Sequence, residues 1–344
     1  MASHEHSVRI DPHGRTLRVR EDQSVLEVAL AAGLNLPHSC RSGHCASCRA
    51  RLLSGEIHYP NGRTAGITAA EADAGYVLLC QARPRSDLRV EARLVANVSE
   101  AEIKTLPCRI ARMERLAPDV MQVFLRLPAV EPLQFRAGQY LDVLLDGGKR
   151  RSFSIASPPH DNGQIELHVR HVQGGGFTSA LFDKLHAGAL LRIEGPIGQF
   201  IYRESVAPAL LIAGGTGFAP LKSMLRHALE RGSTRQLHLY WGARHTVDLY
   251  EEKTVLDWLR QFPNLRFTAV LSEASEQEVA VEHRRTGLVH EAALADYPDL
   301  ALFDVYTAGP PAMIEAIRAT YPARGLDESR LHFDSFDYAP RSSS

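Results

Sequence analysis

No stretch of the 344 residues is long and apolar enough to cross a bilayer, which takes roughly 18 consecutive apolar residues. The opening MASHEHSVRI also lacks the basic and apolar regions of an export signal, so a cytoplasmic protein with no membrane partner is expected. Charge of one sign is missing too. A formal net charge of -1 leaves no global field to hold nucleic acid or an anionic surface, and any electrostatic docking must be local. Low complexity is absent: 44% hydrophobic and 23% charged residues exclude a disordered chain. Cysteine is scarce and odd in number, yet three of the five crowd between positions 40 and 48, a pattern that favours metal ligation over disulfides.

The length fits two or three modules of roughly 100 to 150 residues, and the rhythm of the chain changes accordingly. VRI and TLRVR alternate as strands do, and Ser24 to Glu27 reads as a capping box before a helical stripe at Val25, Val28, Ala29 and Ala32. ARLLSGEIHY and YVLLCQARPRSDLRVEARL read as further strands, which makes 1–93 a small α+β domain and 94–106 a linker. Closely spaced strands over 107–206, with one helix near Thr178 to His186, predict an antiparallel β-barrel. From Ala207 strands, Gly-rich turns and helices alternate, as in ALLIAGG followed by PLKSMLRHALE, whose Leu221, Met224, Leu225, Ala228 and Leu229 share a face. That predicts an α/β doubly wound parallel sheet over 207–338, with a loose tail at 339–344.

Cys40, Cys45 and Cys48 are spaced C-x4-C-x2-C, and Cys80 follows after a later strand, the spacing of plant-type 2Fe-2S ligation. Gly43 and the small Ser42, Ala46 and Ser47 let backbone N–H groups approach the sulfurs. Structural zinc normally uses paired C-x2-C knuckles instead, and Arg41, His44 and Arg49 make this loop too wet for inert thiols. Cys108, alone at the start of a barrel strand, reads as such an inert core thiol.

Two segments of the barrel suit a flavin nucleotide, which needs a cation for its phosphates, a flat apolar surface, a hydroxyl near the reactive nitrogen and a helix N-terminus for a pyrophosphate. Arg151-Ser152-Phe153-Ser154 supplies the first three, and Gly174-Gly175-Gly176-Phe177-Thr178 before a helix supplies the last; a pyrophosphate site favours FAD over FMN. In the third module Gly214-Gly215-Thr216-Gly217-Phe218-Ala219-Pro220 lies between strand and helix, with Pro220 where a dinucleotide fingerprint has its third Gly. Lys222-Ser223 lacks the Gly of a P-loop, which argues against an ATPase. A second turn, Ala308 to Met313, belongs at the same sheet edge, and together the two turns define a crevice.

The order of these motifs, with GPIGQF, YWGAR and LHFDSF, resembles the ferredoxin-NADP reductase superfamily, in the branch with its own N-terminal plant-type ferredoxin domain, over residues 6–338. The resemblance implies an NAD(P)H-dependent oxidoreductase passing electrons from NADH to FAD, then to 2Fe-2S, then to an electron-acceptor protein. It gives 1–93 the α+β β-grasp fold of a ferredoxin domain and assigns Cys40, Cys45, Cys48 and Cys80 to the cluster. Arg151, Phe153 and Ser154 go to the flavin phosphate, ring and N5 region, and Arg170, Gly175, Gly176 and Thr178 to the pyrophosphate. Gly215, Thr216, Gly217, Arg244, Gly309 and Pro310 go to the NADH crevice, and Phe336 matches the aromatic that covers the flavin, with Asp334 where relatives often carry Glu. Ser154, Asp334 and Phe336 are therefore the expected catalytic set. Ala308 replaces the family cysteine and Phe153 a common tyrosine. The implied acceptor is a dehydrase that deoxygenates a nucleotide sugar, or the oxygenase component of an aromatic-ring or hydrocarbon system; a redox sensor without turnover is the reading from another class. Arg244 could meet the 2′-phosphate of NADPH, whereas Asp248 favours NADH. Residues 1–93 carry twelve Arg and Lys against ten Asp and Glu, and Arg41, Arg49, Arg51, Arg83 and Arg85 form a rim that reads either as an ordinary solvated face or as a surface that steers an acidic acceptor.

Overall fold

The computed structural model describes residues 4–336 apart from 35, 39–40, 42, 44–45, 61, 63, 65, 95–101, 130–131 and 162. The chain divides into two compact units, Met1–Glu100 and Ala101–Ser344.

In the first unit β1 (Glu5–Asp11) and β2 (Arg15–Arg20) alternate inward Val8, Ile10, Leu17 and Val19 with outward polar residues, the pattern of a sheet buried on one face. Helix α1 (Val25–Ala31) buries Val25, Leu26 and Ala29, and Ser24 Oγ accepts the Glu27 N–H at 3.2 Å, the Ser24 half of the expected box. The strands β3 (Arg49–Ser54), β4 (Ile57–His58), β5 (Tyr76–Leu78), β6 (Arg83–Pro84) and β7 (Leu88–Glu91) follow. The sheet order is β2-β1-β7-β3-β5, with β1 parallel to β7, and β4 pairs with β6 separately. A short helix α2 (Ala69–Asp73) was not expected; its Thr68 and Glu71 form a complete capping box.

The second unit begins with the strands β8 (Lys104–Ala117), β9 (Val120–Arg126), β10 (Tyr140–Leu144), β11 (Arg150–Ser154) and β12 (Ile165–Arg170). Helix α3 (Gly176–Asp183) and strand β13 (Leu190–Ile197) complete this lobe. The sheet order is β11-β10-β13-β8-β9-β12, all antiparallel, and its edges meet where Ile155 bridges Leu167 and the Ala156 N–H donates to the Glu166 carbonyl at 2.8 Å. Strand β8 starts at Lys104, inside the segment read as linker, because Lys104 and Thr105 pair with Gly195 and Glu194, partners that no local pattern reveals.

The remaining lobe runs β14 (Ala209–Gly214), α4 (Phe218–Glu230), β15 (Leu237–Ala243), α5 (Glu252–Gln261), β16 (Leu265–Leu271), α6 (Glu276–Val279) and β17 (Arg284–Thr286). It ends with α7 (Val289–Asp296), β18 (Asp304–Gly309), α8 (Pro311–Thr320) and β19 (Leu331–Ser335). All six strands are parallel in the order β17-β16-β15-β14-β18-β19. The chain winds outward from β14 in one direction and then returns to its other side at β18, so the switch point falls between these two strands. The predicted face of α4 is fully used: Leu221, Met224, Leu225, Ala228 and Leu229 are all buried against the sheet. Among the described residues no helix is long and apolar enough to cross a membrane.

Candidate functional site

Strand pairing in the first unit brings two of the predicted thiols together. Arg49 faces Leu78 in the β3–β5 register and the Leu79 N–H donates to the Cys48 carbonyl at 3.2 Å, which sets Cys48 and Cys80, both buried, on adjoining chain segments. Cys40 and Cys45 lie outside the described residues. The loop backbone is left-handed at Arg41 (φ 53°), Gly43 (φ 86°) and Ala46 (φ 55°), turns that fold a chain into a concave cradle of N–H groups suited to an anionic cluster. A Cβ on Gly43 would stand 2.8 Å from Thr64 Cγ2 and 2.9 Å from Gln81 Cγ, so this turn admits no side chain. Gln81 fastens the loop by donating to the carbonyls of Arg41 (2.8 Å) and Cys80 (3.1 Å). These features fit a 2Fe-2S cluster. Cys108 is buried in the barrel core, which pushes its thiol up to about 12 and makes it inert.

In the barrel lobe Arg151, Phe153 and Ser154 lie on β11, and the Phe153 ring packs 5.6 Å from that of Phe177 on α3. Helix α3 begins at Gly176 with no side-chain cap, and nothing lies within 4 Å of where a Gly176 Cβ would be, so there is open space beside its first turn. Thr178 Oγ1 accepts the Val172 N–H at 3.1 Å, which shapes the turn before the helix. An uncapped helix end beside an arginine-bearing strand is a donor set that fits a dinucleotide flavin.

At the switch point a cavity of about 540 Å³ opens beyond β14, β15 and β18. Its lining brings together Arg170, Gly215, Thr216, Arg244, Pro310 and Phe336 from the expected set. Gly217 and Gly309 pack behind it: a Cβ on Gly217 would stand 1.9 Å from the Ala308 carbonyl oxygen, so only glycine lets the two turns touch. The Phe336 N–H donates to the Gly309 carbonyl at 2.9 Å, which ties the chain after β19 to the second turn. Asp334 is buried and pairs in register with Ala308, while neither it nor Ser154 lines the cavity. Helices α4 and α8 both start without a side-chain cap. Size, an apolar wall and two glycine-bearing turns at the carboxyl edge of the sheet fit a nicotinamide dinucleotide.

Sequence reasoning missed part of this wall, including Val270, His290 and Ala316, which are separated along the chain and carry no motif. It also missed Trp241, whose indole N–H donates to the Gly215 carbonyl at 3.0 Å and whose ring stacks on Phe218 at 4.0 Å, so the first turn is braced from below. A third omission is a buried cluster of Gln122, Glu166, His168, Lys222 and Glu251. Its only signal in the sequence is the alternation of apolar and charged residues in IELHVR.

Comparison with known proteins agrees with this geometry. Residues 8–85 match the 2Fe-2S iron-sulfur cluster binding domain, 107–202 the oxidoreductase FAD-binding domain and 211–319 the oxidoreductase NAD-binding domain. The chain is 37% identical over 330 residues to a CDP-6-deoxy-L-threo-D-glycero-4-hexulose-3-dehydrase reductase of Yersinia pestis, covering 96% of this chain and 98% of the relative. It is 34% identical over 339 residues to a terephthalate 1,2-dioxygenase reductase component of Comamonas sp, covering 98% and 99%. Among solved structures the Amycolatopsis cytochrome P450 reductase GcoB superposes with a TM-score of 0.75 at 33% identity, over 96% of this chain and 98% of that one. The chain therefore belongs to the ferredoxin reductase family with an N-terminal 2Fe-2S domain, and it carries electrons from NAD(P)H through FAD and 2Fe-2S to a partner enzyme.

Proposed function

We propose that the partner is a nucleotide-sugar dehydrase of the kind served by CDP-6-deoxy-delta-3,4-glucoseen reductase, and that the protein works in the cytoplasm with NADH as donor. The observation that carries the acceptor is the 37% identity, along nearly the full length of both chains, to the Yersinia pestis dehydrase reductase. A second reading, the reductase of an oxygenase, is favoured by the 34% identity to the terephthalate dioxygenase component. Anaerobic mixing of NADH-reduced protein with a purified dehydrase and a purified oxygenase component decides between them: faster electron transfer to the oxygenase would overturn the first reading.

The residue roles are part of the same proposal. We assign 1–93, 107–206 and 207–338 to cluster, flavin and nucleotide modules, joined by 94–106 and followed by the tail 339–344. Cys40, Cys45, Cys48 and Cys80 hold the cluster. Arg151, Phe153, Ser154, Arg170, Gly175, Gly176 and Thr178 hold FAD, and Gly215, Thr216, Gly217, Arg244, Gly309 and Pro310 hold NADH. When bound, FAD takes two electrons at once and gives them up singly to the cluster. The chain's own part is positional: uncapped helix ends receive the phosphates, Phe336 shields the flavin from water, and Ser154 and Asp334 supply polar groups near the transfer path. Asp248, whose carboxylate lines the crevice beside Arg244 and accepts the His245 N–H at 3.2 Å, suits a ribose hydroxyl and repels a 2′-phosphate.

A further inference from the structure

Strand β12 turns Ile165, Leu167 and Val169 into the barrel core. Its opposite face therefore presents Glu166, His168 and Arg170, two residues apart, toward the nucleotide lobe. There Lys222, in the second turn of α4, reaches Glu166 Oε1 at 2.7 Å and both oxygens of Glu251 at 2.7 Å. Gln122 of the neighbouring β9 donates to Glu166 (2.5 Å) and Glu251 (3.2 Å), and His168 Nε2 stands 2.9 Å from Glu166 Oε1. Glu166, His168 and Glu251 offer atoms within 4.8 Å of one another, a donor set of the kind that holds a metal ion, and the cation placed among them is the ammonium of Lys222. The Lys222 and Glu166 side chains are only 6% and 4% exposed, so water does not screen the pair.

Charge completes the description. One ammonium does not balance two buried carboxylates. Burial disfavours the charged imidazole of His168, but hydrogen bonds to Glu166 and Glu251 outweigh it and raise its pKa, while those two carboxyls are held below their ordinary range. With Nε2–H directed at Glu166 and Nδ1 3.0 Å from the Tyr250 hydroxyl oxygen, a protonated His168 brings the cluster to neutrality. A second contact lies beside it, where Ser223 Oγ donates to the Ser157 carbonyl at 2.7 Å.

The cluster bears on the crevice through two short connections. Lys222 sits on the helix whose amino end is the Gly215–Gly217 turn. Two residues beyond His168, the Arg170 guanidinium presses against that turn: a Cβ on Gly215 would stand 2.9 Å from its Nη1. We propose that Lys222 is a positioning residue for hydride transfer, a cation from the nucleotide lobe seated in a carboxylate and imidazole socket of the flavin barrel that fixes the crevice relative to β12. The inference rests on the crevice being the NAD(P)H site.

The test replaces Lys222→Met in the full-length holoprotein. We expect the rate constant of flavin reduction at saturating NADH, counted per bound FAD, to fall at least tenfold while the NADH dissociation constant changes less than threefold. Amide hydrogen exchange is expected to accelerate at residues 165–170 and 215–222 and to stay unchanged in β15 and β16. A wild-type rate per bound FAD, or faster exchange spread evenly over the lobe, would overturn the proposal. If the single variant does not fold, the double variant Lys222→Met/Glu251→Gln removes one charge of each sign and is read by the same criteria. A Gly217→Ala protein with undiminished NADH affinity would instead remove the crevice reading, independently of anything seen at Lys222.

Discussion

Ala308 is buried at the carboxyl end of β18, where the family resemblance implies a cysteine, and the thiol of the second unit, Cys108, is buried in the barrel with its pKa raised. Hydride transfer should therefore withstand thiol alkylation: treatment that leaves the cluster spectrum intact is expected to leave the NADH-to-flavin rate intact, and a selective loss of that rate would contradict the assignment. At Asp248 we expect substitution by Ala to raise the NADPH-to-NADH ratio of kcat/KM about tenfold, or about 1.4 kcal/mol, measured in steady state with both donors. Gly217→Ala forces a methyl group onto the Ala308 carbonyl, and overpacking of this kind costs about 1–3 kcal/mol; urea unfolding together with an NADH titration checks both the stability and the affinity. Gly217 and Ala308 were legible because each sits in a motif whose spacing is chemical, and Asp248 because it follows Arg244 closely along the chain. Val270, His290 and Ala316 were not, since a cavity wall gathered from three elements leaves no local pattern.

Among the elements, α4 and the parallel strands followed from hydrophobic periodicity, whereas the start of β8 and the short α2 did not: one depends on a distant partner strand, the other on a capping box in a segment with little apolar content. Strand β12 was legible as a strand but not as a junction, because alternation shows that one face is polar and does not show what meets it. That junction predicts a pH dependence. His168 is faced by Glu166 from its own strand, Glu251 and Tyr250 from the segment before α5, and Lys222 from α4, with the neutral Gln122 beside them. Its folded pKa is raised, so its contribution is complete below an unfolded value of about 6.5 and is lost as pH climbs through the folded one. Glu166 and Glu251 are lowered, so theirs is present above an unfolded value of about 4.3 and is lost as pH falls through the folded ones. Urea titrations between about pH 5 and 9 should show a shallower alkaline loss of stability for His168→Gln than for the parent; identical slopes would show that His168 does not titrate in this range.

For the molecule as a whole, near neutrality leaves local charge to select the partner. Of the arginines around the cluster, Arg49 is half-buried, pairs with Glu71 and lies 4.8 Å over the Tyr76 ring, whereas Arg41, Arg51 and Arg85 are exposed, with Arg41 Nη2 3.4 Å from His38 Nε2 and Arg85 Nε donating to His58 at 3.1 Å. Changing Arg41 and Arg85 to Glu should slow reduction of the protein acceptor about tenfold at low salt while leaving ferricyanide reduction unaltered; equal effects on both would remove the steering role. The face-to-face alternation of β12 sets a rule of parity on the chain. Insertion or loss of a single residue there would turn Glu166, His168 and Arg170 into the barrel and Leu167 and Val169 toward the carboxylates and ammonium of the junction, so length changes there are tolerated only two residues at a time.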